Sequence, residues 1–338
     1  MDKKIIIGAG GTTKALINYM SKIGYRFCDV FFACMDNNSD LWGKEIEGVS
    51  IISLQDVFKY PNIELVISSI YEKELKDQLI QMGCHNLTTS VEDYKKELFI
   101  NYQCSKYFET HNQNKSMGDC HVDELTVYTA IFGRYDSLCE DMCRDKGVKY
   151  ICYTDDRTIQ SDVWDVRYVD REYENPILES RKYKMLPHKF IETDYSLYID
   201  ANIQFTKSPL NYLKHYLIGG DILFVPHDER DCIYEETACC LLGERESAQR
   251  LIRQAYVYCE EGCPVHSGLF YGGVIGRKHA SPEVVSFDEE WWEQFKEYSY
   301  RDQISLGYLI WKKNPTISLA NIDWYKNQWF HARAHIRK

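Results

Sequence analysis

No apolar run in the 338 residues approaches the ~20 that a membrane-spanning helix needs, which leaves only peripheral attachment to a membrane face. A basic surplus is missing as well. Lys and Arg number 40 against 51 Asp and Glu, a net charge of -11, and general nucleic-acid binding, which shows as a basic excess over a whole domain, is excluded. Any anionic ligand must then be met by local basic residues. The paired two-residue cysteine spacing of common zinc sites is also absent; Cys139/Cys143 and Cys259/Cys263 are each separated by three residues, and Cys239 and Cys240 are adjacent. The 13 cysteines, odd in number and following no secretory signal, read as reduced thiols in the cytoplasm or at the inner face of the membrane. Internal repeats and low-complexity tracts do not occur. What is present is material for packed cores: 44% hydrophobic residues and 26 tyrosines, enough for about two domains.

The opening KKIIIGAGGTTKALINYMSKIG reads as a buried strand, a turn at Gly8, Gly10 and Gly11, and a helix carrying Leu16, Ile17 and Met20. Further strands at 29–36 and 63–70, and an amphipathic helix over 72–83 closed by Gly83, complete a small parallel α/β domain over residues 1–95. A dinucleotide fingerprint would want glycine where Thr13 stands and an acid after the second strand, where Asp36 stands. The signal is half present, and the alternative is a turn that only packs helix on strand. Residues 96–124 are polar and without sustained period, and are expected to be a linker.

From 125 to 338 strand and helix alternate again, describing a mixed, mostly parallel sheet. In YSLYIDANIQF an apolar strand breaks at Asp200-Ala201-Asn202 and resumes. Ligands bind beyond the carboxyl ends of such strands, so this cluster should converge with Gly133-Arg134-Tyr135-Asp136 and Thr154-Asp155-Asp156-Arg157. Arg181 and Lys184 are three apart and His188 four further on, so they share one helix face unless Pro187 kinks it. Cations beside a carboxylate cluster suit a diphosphate and its divalent metal, magnesium or manganese; the alternative is a solvated face beside a structural Asp.

The segments TVYTAIFGRYD, RKYKMLPHKF, YSLYIDANI, HDERDCIYEE, GGVIGRKH and RDQISLGYLIW resemble, in this order, the glycosyltransferase-like domain shared by bacterial surface-polysaccharide proteins and plant mucilage-type proteins. The pattern is similar to family 8 glycosyltransferases. The resemblance implies a GT-A fold, a nucleotide-sugar donor (a UDP-sugar first), a glycan or lipid-linked glycan acceptor in capsule or other surface-polysaccharide assembly, and a metal motif at Asp200. It departs from Asp-x-Asp in having Asn202, whose neutral oxygen is a weaker ligand. By the same resemblance, Asp155 and the AIFG turn at 130–133, which holds Phe132 and Gly133, would meet the donor base and ribose; Thr129 and Arg134 are further donor-binding candidates beside the Arg181, Lys184 and His188 face. GAGGTTKAL followed by CMDNNSDLWGKEIEGVSII looks like the Rossmann-like module fused to many surface-sugar transferases.

For catalysis, VPHDERDCIYEE supplies His227, Glu235 and Glu236 as a second polar wall. Asp302 is the first choice of general base for an inverting enzyme and Glu236 the second, although Asp302 also suits a plain helix N-terminus. The tail WYKNQWFHARAHIRK offers His331 or His335 as a third metal ligand and a basic strip for a diphosphate or an anionic membrane surface. The rival readings are a nicotinamide-dependent sugar-nucleotide oxidoreductase or epimerase resting on Gly8, Gly10 and Asp36, and a non-catalytic nucleotide-sugar-binding module.

Overall fold

Short β-branched runs bounded by glycine turns build the first of two units, Met1–Tyr102 and Gln103–Lys338. The computed structural model describes residues 3–110, 122–279 and 281–335. In the first unit, β1 (Lys4–Ile7), β2 (Phe31–Asp36), β3 (Glu45–Ile46), β4 (Val49–Ser53), β5 (Leu65–Ile67) and β6 (Thr88–Ser90) form one sheet in the order β3-β4-β2-β1-β5-β6. All pairs are parallel except β3 with β4. Ile5 and Ile7 pack with Met35 and Leu79, while Ile6 packs with Leu16, Met20 and Tyr94. Burial on both faces is what the unbroken Ile5-Ile6-Ile7 run requires. Helices α1 (Gly11–Lys22) and α4 (Val91–Thr110) supply Leu16 and Tyr94 to one face, α3 (Glu72–Gln81) supplies Leu79 to the other, and α2 (Phe27–Val30) is a single turn before β2.

The glycine turn is closed by its own neighbours. Gly8 has φ +102°, and a Cβ there would stand 2.5 Å from the Ser68 carbonyl oxygen, so only glycine fits. Buried Thr13 donates its hydroxyl to the Gly8 carbonyl, and Asp36 accepts the Ala9 N–H at 2.8 Å and the Asn38 N–H at 2.8 Å. The acid a ribose would need is therefore spent on the turn.

The expected linker needs correction over 96–110, which is helical as part of α4; residues 111–121 lie outside the described residues. The unit boundary falls within this helix.

The second unit is built on a seven-stranded sheet. Its strands are β7 (Leu125–Ile131), β8 (Lys149–Thr154), β9 (Asp165–Tyr168), β10 (Tyr195–Ile199), β12 (Ile222–Pro226), β13 (Phe270–Arg277) and β14 (Ile317–Leu319), in the order β14-β12-β13-β10-β7-β8-β9. Only β13 runs against its neighbours, so its first residues meet the carboxyl ends of β10 and β12. A two-stranded antiparallel sheet pairs β11 (Ile203–Phe205) with β15 (Phe330–Ala332). Helices α5 (Pro176–Met185), α6 (Pro209–Tyr216), α7 (Ile233–Leu242), α8 (Ala248–Glu260), α9 (Pro282–Glu297) and α10 (Asp302–Lys313) complete the unit. Leu197, Ile199, Val127, Val274 and Phe205 share one core, which holds the end of β10 rigid. Among the described residues, no helix is long and apolar enough to cross a membrane, and all twelve described cysteines are free.

Candidate functional site

Asp200 follows directly on the buried end of β10, and its N–H donates to the Gly273 carbonyl across the sheet at 2.8 Å. Tyr198, two residues earlier, donates its hydroxyl to Asp200 Oδ1 at 2.8 Å. The N-terminal Asn175 cap and Pro176 start α5, and Tyr183 anchors it by stacking on Phe132 (5.4 Å between centroids) and Tyr153 (4.5 Å). One turn of that helix then directs Arg181 and Lys184 together, as the three-residue spacing predicts. Lys184 Nζ lies 2.5 Å from Asp302 Oδ2 and 3.9 Å from Asp200 Oδ1, and Arg181 Nε lies 3.2 Å from the same Asp302 oxygen. Asp302 enters from the start of α10.

Two glycines of β13 make room for these side chains. A Cβ on Gly272 would stand 2.9 Å from Lys184 Nζ, and one on Gly273 would stand 3.0 Å from Asp200 Oδ2 and 2.8 Å from the Trp324 ring. The side chains of Asp200 and Arg181 are 31% and 25% exposed, against 12% for Asp302 and 1% for Lys184, so Asp200 is the carboxylate and Arg181 the cation that a ligand can reach. Burial alone would raise the Asp302 carboxyl, but Lys184 and Arg181 together hold it well below the ordinary carboxylate range. Burial lowers the Lys184 ammonium against the opposing pull of Asp302 and Asp200. For Arg181 burial is outweighed by Asp302, and the guanidinium is raised.

The other sequence-predicted residues divide. Gly133 N–H donates to Asp155 Oδ1 at 3.0 Å, Arg171 pairs with the other Asp155 oxygen at 3.1 Å, and Arg134 lies 3.5 Å from Asp156, so these residues tie the ends of β7 and β8 together. Thr129 and Phe132 are buried and present no side chain to a cleft. His188 does not share the Arg181–Lys184 face: α5 ends at Met185, Pro187 starts a 3-10 turn, and His188 meets Glu289 of α9 at 3.1 Å. His335 Nδ1 sits 2.6 Å from Asp136, and its ring packs on Tyr135. Asn202 donates its amide to the Arg333 carbonyl at 2.8 Å.

In the second wall, His227 stacks on Tyr271 (4.6 Å), which stacks on Trp324 (4.3 Å), the ring lying against Gly273. That stack joins the wall to the Asp200 cluster. Arg230 Nη2 bridges His227 Nε2 (3.0 Å) and buried Glu236 (2.9 Å), whereas exposed Glu235 turns instead toward Asp231 and His266. Sequence reasoning missed Tyr198, Tyr271, Trp324 and the two glycines. A Gly-Gly pair inside a strand pattern was the available signal, since strand glycine marks a close approach.

A resident metal does not fit the predicted set. Of Asp200, Asn202 and His335, only Asp200 presents a carboxylate, Asn202 is bonded to Arg333 and His335 to Asp136. One reachable carboxylate fits a hard cation that arrives already carried by phosphates, the usual mode for magnesium. Among the described residues the one group of three or more His, Cys, Asp or Glu ligand atoms within 4.8 Å of one another is Asp231, Glu235 and His266, a possible metal site. There the Lys106 ammonium lies 3.7 Å from Asp231.

A family model for the TOD1/MUCI70 glycosyltransferase-like domain matches residues 101–333. The chain belongs to the TOD1/MUCI70 glycosyltransferase-like family. Residues 1–88 match a separate model, C2185-like, N-terminal. The TOD1/MUCI70 match spans every residue of the Asp200 cluster, which gives the second unit a glycosyltransferase-type function in general terms. No curated protein matches. Two solved structures of RSP, a Rex-family repressor, one in complex with beta-NAD+ and operator DNA, are similar at 21% and 17% identity, with a TM-score of 0.20 each. They cover 33% and 32% of this chain, which spans 65% and 59% of theirs, and a score that low supports no structural argument.

Proposed function

We propose that the second unit moves a sugar from a nucleotide-sugar donor, a UDP-sugar first, to a glycan or lipid-linked glycan acceptor, as in surface-polysaccharide assembly. The observation that carries this reading is the meeting of Lys184, Arg181, Asp302 and Asp200 at the carboxyl end of β10 opposite Gly272 and Gly273. A departing diphosphate needs preorganised positive charge at this kind of strand end. Asp200 would hold a manganese or magnesium ion delivered with the donor, and such an ion supplies charge compensation to the leaving group.

Asp302 was the first choice of general base, but a carboxylate held low by two cations is a weak base, and its role here is to orient Lys184 and Arg181. The Gly8–Asp36 turn, closed on itself, does not favour the oxidoreductase reading. A melting-temperature screen of the full chain against nucleotide sugars, with and without manganese, tests the proposal. One nucleoside-diphosphate class should raise melting in a manganese-dependent way. A rise with NAD(H) alone, or with no nucleotide at all, would contradict it.

A further inference from the structure

In the Asp200 cluster the charges of Lys184 and Arg181 are matched by Asp302 and Asp200, with Arg301 acting on Asp302 from beside it. A diphosphate that brings one divalent ion to Asp200 still carries excess negative charge, and a further cation on the chain beside that turn would stabilise it. Arg333 is next to the turn that carries Asp200. Its Nη2 lies 3.4 Å from the Ala201 carbonyl, and among the described residues no carboxylate pairs with it.

Arg333 is held there by reciprocal bonds. The Asn202 side-chain amide donates to the Arg333 carbonyl at 2.8 Å, and the Arg333 N–H donates back to the Asn202 carbonyl at 2.9 Å. These bonds extend the β11–β15 ladder, in which Ile203 faces Ala332, by one residue beyond the strand ends. Phe330, fully buried against Phe205 and Trp324, fixes the other end of β15. A carboxylate at position 202 could not donate to a carbonyl, so Asp there would open the clasp and place a negative charge beside the turn.

We propose that Asn202 is a positioning residue that clasps β15 to the Asp200 turn, and that Arg333, so placed, is the cation that meets the donor's diphosphate. The identity of that diphosphate rests on the glycosyl-transfer reading; the clasp does not.

The test uses the full chain with magnesium pyrophosphate as probe, reading its affinity and the hydrogen exchange of the β15 amides. Asn202→Ala and Asn202→Asp should both speed exchange in β15 and weaken pyrophosphate binding about tenfold, the worth of one charge-assisted hydrogen bond. Arg333→Gln should weaken binding equally, and the double variant Asn202→Ala/Arg333→Gln should be no weaker than Arg333→Gln. A purely structural Asn202 would instead give losses that add. Asn202→Asp binding the probe more tightly than the parent with unchanged β15 exchange would make position 202 a metal ligand and overturn the proposal. Parent-like affinity in Arg333→Gln, or no pyrophosphate binding by the parent, would overturn the role of Arg333. Should the predicted pattern appear while no nucleotide sugar is turned over, the transfer reading fails and the clasp and its cation stand.

Discussion

Asp302 is the residue on which the site's electrostatics turn, because its Oδ2 alone meets both Lys184 and Arg181. Replacing it by Asn leaves a buried ammonium with only Asp200 at 3.9 Å, and breaking a buried pair in this way costs on the order of 3–5 kcal/mol. The pH dependence has a definite sign. A carboxyl whose folded value lies below its ordinary 3.8 contributes stability that is complete above that value and fades as pH falls beneath it. The stability gap between parent and Asp302→Asn, measured by denaturant unfolding, should be constant from neutral pH down to about 5 and shrink in more acid solution. A gap that widens with acid would show that Asp302 is not the held carboxylate. This role was not legible in the sequence, since Asp302 and Lys184 are 118 residues apart and an acid at a helix start has an ordinary local explanation. Arg181, Lys184 and Asp200 were legible, because helical spacing and a polar break at the end of an apolar strand are local signals.

At the scale of elements, β13 decides how closely the cluster can assemble. The indole of Trp324 is rigid and buried, so the Cβ of Gly273→Ala, 2.8 Å from that ring and 3.0 Å from Asp200 Oδ2, has no soft neighbour to displace. Overpacking of this kind costs about 1–3 kcal/mol, and it should lower the melting temperature and weaken manganese-dependent nucleotide binding together. Parent-like values for both would mean that the glycines are incidental. Helix α5 followed its sequence pattern because Asn175 and Pro176 start it and Pro187 ends it, and the same proline took His188 off the shared face. Helix α4 escaped notice for a different reason. Its buried residues form two stripes, Val91-Tyr94-Leu98 and Ile100-Gln103-Cys104-Tyr107, and the two-residue step between them breaks the period that would announce one helix.

Over the whole molecule, net charge -11 makes an unassisted anion unwelcome, and the second unit sets Lys184 and Arg181 side by side against Asp302 and Asp200. The family match over residues 101–333 covers that place, while the first unit spends its Thr13 and Asp36 on closing its own glycine turn. A glycosyl-transfer role for that place requires Asp200 to be a ligand-facing carboxylate at the end of a rigid strand. Asp200→Asn keeps the shape and removes the charge, and melting without ligand and manganese-dependent binding of a nucleoside diphosphate should be measured on one preparation. Near-parent melting with binding lost is the expected result; a variant that binds the nucleotide with manganese as tightly as the parent would contradict a ligand-facing Asp200.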